Sequence, residues 1–312
     1  MSILCQANAG GIFLQYICND CPRKCRALRT DTEGNGFCQS PALPRIVRAA
    51  PHFGEEPCIS GTRGSGAVFF SSCSMRCVFC QNHEISRFST GRIFSASELE
   101  RLLLHLQDLG VHNINLVTPT HFSTVLVQVL EKIRLDIPIV WNSSGFEKVE
   151  TLKRLEGLVQ IYMPDMKFSV RQTASVLASA PDYWEVCQAA VREMYRQRGA
   201  YHIDDNGLLT SGLLIRHLIL PGHKFEAMDV IDFVADEFPS DSVLFSLMSQ
   251  YTPLPVFDPM FPELSQHVSD SLNQDLIAYM KKRHIVSGYW QSCSSAGPEM
   301  IPDFDGTGLD MF

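Results

Sequence analysis

Three cysteines stand close together in the run Cys73-Ser-Met-Arg-Cys77-Val-Phe-Cys80. Thiolates are the usual ligands of iron–sulfur clusters. Three of them on one loop can bind three irons of a cubane cluster and leave the fourth iron without a protein ligand. An open coordination position distinguishes a catalytic metal centre from a closed structural one. The C-x3-C-x2-C spacing therefore predicts a catalytic [4Fe-4S] cluster at Cys73, Cys77 and Cys80.

A zinc site or a set of inert buried thiols is the alternative for these three residues. Zinc prefers four ligands, commonly supplied as paired C-x2-C units. Three cysteines at this spacing fit that pattern poorly.

A second cysteine set lies upstream, with the spacing C-x2-C-x3-C-x12-C. Four thiolates suit a structural zinc ion or a closed auxiliary iron–sulfur cluster equally well, and free thiols are the remaining alternative. Several basic residues in the same stretch would ease the negative charge of a four-thiolate site. The members of this set are Cys18, Cys21, Cys25 and Cys38.

The distribution of cysteines and charges narrows the class of protein. Nine of the 11 cysteines precede residue 81, whereas disulfide scaffolds usually spread their bridges across the fold. The formal net charge of −8 argues against a general nucleic-acid binder. The sequence has no run long and apolar enough to span a bilayer, and its first 16 residues do not resemble a signal peptide. We therefore expect a cytoplasmic protein without a nucleic-acid or membrane partner.

Six short apolar runs, mostly rich in β-branched or aromatic residues, predict buried strands. Amphipathic stretches between them predict helices. The first has a capping box at Ser97 and Glu100 and a stop at Gly110, and later ones cover about 123–135, 147–155, 183–198 and 264–282. Six such units in series favour an α/β fold, an open (β/α)6 barrel rather than a complete eight-unit one. The predicted strands are 67–71, 113–118, 138–142, 158–163, 213–220 and 243–248.

The chain divides into three parts on these patterns. Residues 1–62 form an irregular Cys-rich segment, residues 63–260 the barrel, and residues 261–312 a C-terminal helix and tail that close it. In barrels of this kind the working residues sit at the C-terminal ends of the strands. All six predicted strand ends are polar, and they should converge on one rim, with Cys73 at the first.

The cluster motif resembles that of the radical S-adenosylmethionine (SAM) superfamily, C-x3-C-x-aromatic-C directly after the first barrel strand. Cys73, Cys77, Phe79 and Cys80 match it. The resemblance implies that the chain is an enzyme which reductively cleaves SAM to a 5′-deoxyadenosyl radical for hydrogen abstraction. It also implies that Phe79 packs near the SAM adenine.

Several further stretches resemble one subgroup, the iron–sulfur proteins similar to pyruvate formate-lyase activating enzymes. This resemblance implies activation of a glycyl-radical enzyme or modification of a peptide, with an electron donor such as a flavodoxin or ferredoxin. The main rival is a non-catalytic iron–sulfur protein for electron transfer or redox sensing, and a third possibility is a zinc-binding scaffold. The matching stretches include 21–25, 116–121, 142–145, 164–167, 216–217 and 302–305.

The resemblance carries over only partly to the SAM site. The Gly-Gly-Glu run that grips the SAM amino group is replaced by residues 117–120, where the strand edge at Thr118 offers carbonyls. Asp165, Lys167 and Arg216 resemble residues near bound SAM, with a rim ion pair or a structural salt bridge as the alternative. Asn142 and Ser144 are candidates for SAM contact or for turn formation.

Other residues that could take part in chemistry belong to less specific sequence patterns. His121 is a candidate acid/base or a packing residue, and His217 and His223 are weaker candidates. Cys187 falls in a predicted helix and is most simply a small buried hydrophobe. Cys293 lies in a polar stretch, where a role in radical chemistry is conceivable.

Overall fold

The computed structural model describes residues 4–8, 11–254, 260–292 and 302–312. Its strands are β1 (Leu4–Asn8), β2 (Gly11–Ile17), β3 (Leu28–Arg29), β4 (Arg45–His52), β5 (Ser65–Phe70), β6 (Arg92–Ile93), β7 (Ile114–Val117), β8 (Ile139–Ser143), β9 (Ile161–Pro164), β10 (His202–Ile203), β11 (Leu209–Leu218), β12 (Leu244–Met248) and β13 (Gly288–Trp290). Its α-helices are α1 (Pro57–Ser60), α2 (His83–Arg87), α3 (Ala96–Asp108), α4 (Ser123–Leu130), α5 (Val149–Lys153), α6 (Arg171–Ala178), α7 (Tyr183–Arg198), α8 (Lys224–Glu237) and α9 (Asp270–Lys282).

A 10-stranded sheet forms the centre of the fold, in the order β13-β12-β11-β9-β8-β7-β5-β4-β6, with β10 paired to β11. The neighbours from β5 to β13 in this order are parallel, and they include all six predicted strands. The predicted open barrel is therefore confirmed. β13 adds a seventh parallel strand that the sequence pattern did not indicate.

The central strands consist of continuous apolar residues because both of their faces are covered. Every residue of β5, β7, β8, β9 and β12 is buried. This burial explains why short apolar runs, rather than alternating patterns, identified these strands.

The first barrel helix, α3, begins two residues earlier than predicted. Its N-cap is Ser95, whose side chain accepts from the Glu98 amide, while the Glu98 carboxylate accepts from the Ser95 amide. The predicted capping box at Ser97 and Glu100 is therefore wrong. Gly110 follows the helix with a left-handed φ of 81°, as expected for the residue that ends it.

The other helices agree in position more than in length. The bounds predicted for α7 are confirmed, whereas α4 and α5 are shorter than predicted. The last predicted helix, over 264–282, is instead a 3₁₀ turn (Pro262–Ser265) followed by α9.

The N-terminal segment contains more regular structure than its sequence suggests. β1, β2 and β3 form a small antiparallel sheet, and β4 pairs antiparallel with β5 at one edge of the main sheet. The boundaries at residues 62 and 260 stay predictions, but β4 joins the segment before residue 62 directly to the barrel.

The stretch after β4, residues 53–60, crosses the inside of the barrel, and we call it the floor segment. Its helix α1 places Cys58 and Ile59 in an apolar cluster with inward-facing residues of four central strands. The strand members of that cluster are Val140, Ile161, Met163, Leu209, Leu214 and Leu244. The floor segment therefore fills the lower interior of the barrel.

The C-terminal part of the chain contacts the rest of the fold at two separate places. Tyr279 of α9 donates to Asp232 of α8 at 2.8 Å. The tail runs beside β4, where the Ala49 amide donates to the Thr307 carbonyl at 3.1 Å. No helix in the described ranges combines the length and the apolar character needed to cross a membrane.

Replacing Ile59 with alanine should lower the free energy of unfolding by about 2–5 kcal/mol, because the side chain is fully buried in the floor cluster and leaves a cavity. Denaturant unfolding measures this loss. Ile17→Ala is the matched control, since Ile17 is 60% exposed and its loss should cost less than about 1 kcal/mol. Equal effects of the two changes would contradict the floor packing.

Candidate active site

The three central cysteines lie on one loop, residues 71–82, which follows β5 and which we call the cysteine loop. Its backbone curls tightly, with left-handed φ values of 71° at Ser72 and 52° at Arg76. Cys73, Cys77 and Cys80 all line one cavity of about 480 Å³. A cavity of this volume is in the range that small-molecule cofactors occupy.

Burial dominates the acidity of the loop thiols. Burial raises the pKa of Cys73, and hydrogen bonds from the Arg76 and Met75 amides oppose that rise. Burial also raises the pKa of Cys77 to about 12, against the opposing charge of Lys167. A bound metal would therefore have to displace protons from these thiols, as metal binding to cysteine generally does.

The donor set and the space suit a group held by three thiolates. Three thiols on a single loop face one cavity, which leaves room for a ligand beside them. Across residues 4–8, 11–254, 260–292 and 302–312, no three His, Cys, Asp or Glu side chains converge as they would around one metal ion. The fit thus rests on the shared cavity and the thiol chemistry.

The cavity also collects the predicted cofactor-binding residues from five different strand ends. It is lined by every one of them, and these are Phe79, Thr118, Asn142, Ser144, Asp165, Lys167 and Arg216. The convergence of the polar strand ends on one rim, which the alternation of strands and helices predicts, is therefore observed for these residues. Their contact with SAM stays a prediction.

Arg216 is the centre of a buried ionic network. Its Nε donates to Asp165 Oδ1 at 2.8 Å, its Nη1 to Glu55 Oε2 at 2.8 Å and its Nη2 to Asn142 Oδ1 at 2.7 Å. Burial alone would lower the pKa of Arg216, but the surrounding carboxylates raise it above its ordinary value. The structural salt bridge that was the alternative for Arg216 is thus present, and its contact with SAM stays a prediction.

Asp165 links this network to Lys167. The Lys167 Nζ donates to Asp165 Oδ2 at 2.6 Å. Burial would raise the pKa of Asp165, yet Arg216 and Lys167 outweigh it and hold the pKa below its ordinary value. The Tyr183 hydroxyl fixes the backbone here, since it donates to Asp165 O at 2.7 Å and accepts from the Lys167 amide at 2.8 Å. Both charged groups are therefore held at the rim beside the cysteine loop.

Two carboxylates that the sequence analysis missed come from the floor segment. Glu55 Oε1 accepts from Asn115 Nδ2 at 2.9 Å and from Asn142 Nδ2 at 3.1 Å. Glu56 is buried, and its Oε2 has no hydrogen-bond partner among the described residues. The signal for both was an acidic pair in an otherwise apolar, Pro- and Gly-containing stretch, Gly54-Glu-Glu-Pro57.

Thr118 occupies a strained position at the end of β7. Its φ of 61° is left-handed, which is a genuine outlier for a β-branched residue, and its amide donates to Asn142 O at 2.8 Å. In the family that the sequence resembles, a Gly-Gly-Glu run occupies this position. The backbone adopts a glycine-like conformation there without a glycine.

Phe79 forms an apolar wall of the cavity. It is buried and packs edge-on against Phe168, with ring centroids 5.9 Å apart, and against Tyr251 at 6.4 Å. These contacts fix the orientation of the ring at the cavity wall.

The histidines that the sequence singled out lie away from the cavity. His121 is buried, donates from Nε2 to Ser71 O at 2.9 Å, and has a pKa that burial lowers to about 3. His217 bonds Met166 O, and His223 lies between Glu226 and Glu263. The packing role expected as the alternative for His121 fits this geometry. His52, which no sequence pattern singled out, lines the cavity instead.

The upstream cysteine set is mostly buried. Cys18, Cys21 and Cys38 are buried and Cys25 is exposed. Burial raises the pKa of Cys18 to about 12, and Cys38 lies close enough to add to that rise. Fully buried Arg29 donates from Nη2 to Cys38 Sγ at 3.1 Å. A metal at this set stays a prediction.

The two remaining cysteines of interest are Cys187 and Cys293. Cys187 lies in α7 with no exposed surface, as expected for a small buried hydrophobe. Cys293 lies outside the described residues.

Glu147 is a buried carboxyl that follows the end of β8, and no sequence pattern indicated it. Its Oε1 accepts from Thr120 Oγ1 at 2.6 Å and from Trp141 Nε1 at 3.2 Å. Burial raises its pKa to about 7, against the opposing hydrogen bonds. The folded state therefore binds this proton more tightly than the unfolded state does.

Glu147→Gln should remove a pH dependence of stability. Because the folded pKa is raised, the contribution of Glu147 is complete below the ordinary glutamate pKa and is lost as the pH rises towards 7. The free energy of unfolding of the variant relative to wild type should therefore increase by about 2 kcal/mol from pH 5 to pH 7. Urea unfolding at both pH values tests this. Exposed Glu150→Gln should follow the wild type, and parallel behaviour of both variants would refute the assignment.

Residues 67–166 match the family profile of the Radical SAM superfamily. Uncharacterized protein MJ0674 of Methanocaldococcus jannaschii is 27% identical over 248 residues, which cover 76% of this chain and 66% of that protein.

Two solved structures of SuiB from Streptococcus suis are similar to this chain. The one bound to S-adenosylmethionine is 14% identical with a TM-score of 0.46, over 76% of this chain and 49% of that chain. The other is 15% identical with a TM-score of 0.47, over 72% and 48%. The chain thus spans about half the length of these structures. The family match begins within β5 and ends just beyond β9, so this stretch of the chain is similar to the Radical SAM superfamily.

Proposed function

We propose that the protein is a radical SAM enzyme. Cys73, Cys77 and Cys80 would hold a [4Fe-4S] cluster, and SAM would occupy the adjoining cavity. The observation that carries this proposal is the cavity of about 480 Å³ that all three thiols share with the polar strand ends of a radical SAM domain. When bound and reduced, the cluster with SAM supplies a 5′-deoxyadenosyl radical for hydrogen abstraction.

The side chains around the cavity have distinct tasks in this proposal. Phe79, held by Phe168 and Tyr251, offers an apolar surface for the adenine. Lys167 lies near Cys77 and favours its thiolate form, while its salt bridge to Asp165 fixes the ammonium group. The strained backbone at Thr118 and the polar groups of Asn142 and Ser144 would orient SAM at the rim.

The cavity contains charged groups of both signs. Arg216 forms salt bridges with Asp165 and Glu55, and Lys167 forms one with Asp165. Burial raises the pKa of Glu56. SAM carries a carboxylate, an ammonium and a sulfonium group, so a site with charges of both signs suits it.

Within the proposal, the protein belongs to the subgroup similar to pyruvate formate-lyase activating enzymes. The stretches along the chain that resemble those enzymes support this assignment. A glycine in a protein backbone, another peptide or a small molecule would be the substrate, and a flavodoxin or ferredoxin in the cytoplasm would donate the electron.

The upstream cysteines would form a second, closed metal site. Support comes from the burial of Cys18, Cys21 and Cys38 and from Arg29, whose guanidinium donates to Cys38 Sγ and would balance thiolate charge. Zinc and an auxiliary iron–sulfur cluster fit this donor set equally well.

Replacing Cys73, Cys77 and Cys80 together with alanine should abolish SAM cleavage, because the cluster would lose all of its protein ligands. The measurement is 5′-deoxyadenosine formed by anaerobically reconstituted, reduced protein, together with its iron content. Cys187→Ala is the control and should retain turnover. A well-loaded wild type that forms no 5′-deoxyadenosine would refute the enzyme and favour an electron-transfer protein.

Cys25→Ala should empty the second site, and the substitution itself removes little packing because Cys25 is exposed. Elemental analysis of anaerobically purified protein should show a loss of zinc if the site holds zinc, or of iron if it holds a cluster. Cys187→Ala should keep the wild-type metal content. An unchanged content of both metals in Cys25→Ala would contradict a four-cysteine site.

A further inference from the structure

Arg23 connects the two cysteine-rich parts of the protein. It lies in the run Cys21-Pro-Arg-Lys-Cys25 of the upstream set. Its side chain leaves that run and reaches the cysteine loop. The proposed function assigns no role to it.

The guanidinium of Arg23 donates to backbone carbonyls of two separate elements. In the cysteine loop, Nε donates to Ser74 O at 2.6 Å and Nη2 contacts Met75 O at 3.4 Å. At the end of α6, Nη2 donates to Ala178 O at 2.6 Å and Nη1 donates to Ser179 O. The group also stacks over Phe37, with its central carbon 3.9 Å from the ring centroid. Arg23 is thus held rigidly against the loop.

The positive charge of Arg23 is not used in an ion pair within the described part of the chain. All of its hydrogen bonds go to neutral carbonyls. Asp182 acts on it electrostatically, but so do Cys21, Cys73 and Cys77. The charge therefore remains available to the sulfur atoms beside it.

In the cysteine loop, the two peptide groups whose carbonyls Arg23 contacts direct their amides at Cys73. The carbonyl of Ser74 and the amide of Met75 belong to the same peptide group, and that amide donates to Cys73 Sγ at 3.2 Å. The next peptide group, with the Met75 carbonyl and the Arg76 amide, repeats the arrangement, since the Arg76 amide also acts on Cys73. A cation at the carbonyl end of a peptide group polarises it and strengthens its N–H as a donor.

We propose that Arg23 is a positioning residue that raises the reduction potential of the cluster bound at Cys73, Cys77 and Cys80. This inference rests on the proposed function. Net charge and hydrogen bonds to the sulfurs are among the factors that set the potentials of iron–sulfur clusters. On reduction the cluster gains one electron from an external reductant, with no proton transfer. Arg23 and the two amides that it orients stabilise the added negative charge on the cluster and on Cys73.

Arg23→Gln tests the inference by redox titration of the full-length, anaerobically reconstituted protein with dithionite. Electron paramagnetic resonance follows the reduced cluster, and the signal that changes on addition of SAM identifies the cluster with the open iron. The variant should have an equilibrium constant for one-electron reduction roughly tenfold below that of the wild type, a shift of about 59 mV to lower potential.

Two further variants separate the peptide effect from loss of charge or of folding. Arg134→Gln removes the same charge and a carbonyl contact on the exposed residues after α4, and it should keep the wild-type potential. Arg23→Lys keeps the charge but has no planar fork to bond both loop carbonyls, so its potential should lie between those of wild type and Arg23→Gln.

The outcomes are distinct. A potential for Arg23→Gln equal to that of Arg134→Gln overturns the inference while the proposed function stands. If Arg23→Gln takes up no iron, Arg23→Lys decides, and a wild-type potential in that variant overturns the inference. A wild type without a SAM-responsive signal overturns the proposed function and this inference with it.

Discussion

A guanidinium buried inside the barrel has to be paired, and much of the site follows from this requirement. An unpaired charge in a water-poor interior costs several kcal/mol, and a pair repays that cost only with good geometry. Arg216 meets the condition through three directed hydrogen bonds, to Asp165, Glu55 and Asn142. Because these partners come from different elements, the network fixes the end of β9, the end of β8 and the floor segment relative to β11. The rim of the cavity is therefore held by charge as well as by packing.

The floor segment satisfies two opposite demands within a few residues. Its acidic part, Glu55 and Glu56, faces the charged interior, and its next turn, Cys58 and Ile59, faces the apolar cluster below. The strand β4 delivers the segment to this position by pairing with β5. Residues 53–60, which precede the stretch that matches the Radical SAM profile, thus help to line the cavity.

Features that depend on local pattern could be predicted from the sequence, whereas those that depend on long-range contacts could not. The six parallel strands were visible because burial on both faces makes each an unbroken apolar run. The cysteine loop was visible because its spacing is specific. β4 was not, since Pro51 and its two arginines obscure its pattern, and its pairing is set by β5. Glu55 and Glu56 became significant only when the fold placed them beside Arg216, some 160 residues away in sequence.

The capping box was misplaced by two residues because two Ser-x-x-Glu matches overlap at 95–100.

The part of the Cys-rich segment that precedes β4 contacts the barrel through polar groups. Among its described residues, Tyr16, Cys18 and Ala42 form a small buried cluster. Buried Asp20 accepts from Thr124 Oγ1 at 2.6 Å, and Arg29 donates to the His121 carbonyl, so that both contacts reach the same region after β7. Hydrogen bonds of this kind stabilise only when the backbone that carries them is already fixed, because ordering that backbone costs conformational entropy. A metal held by the four cysteines would supply that order. The same constraint would fix Arg23 against the cysteine loop, so that the segment and the proposed cluster site are mechanically one unit.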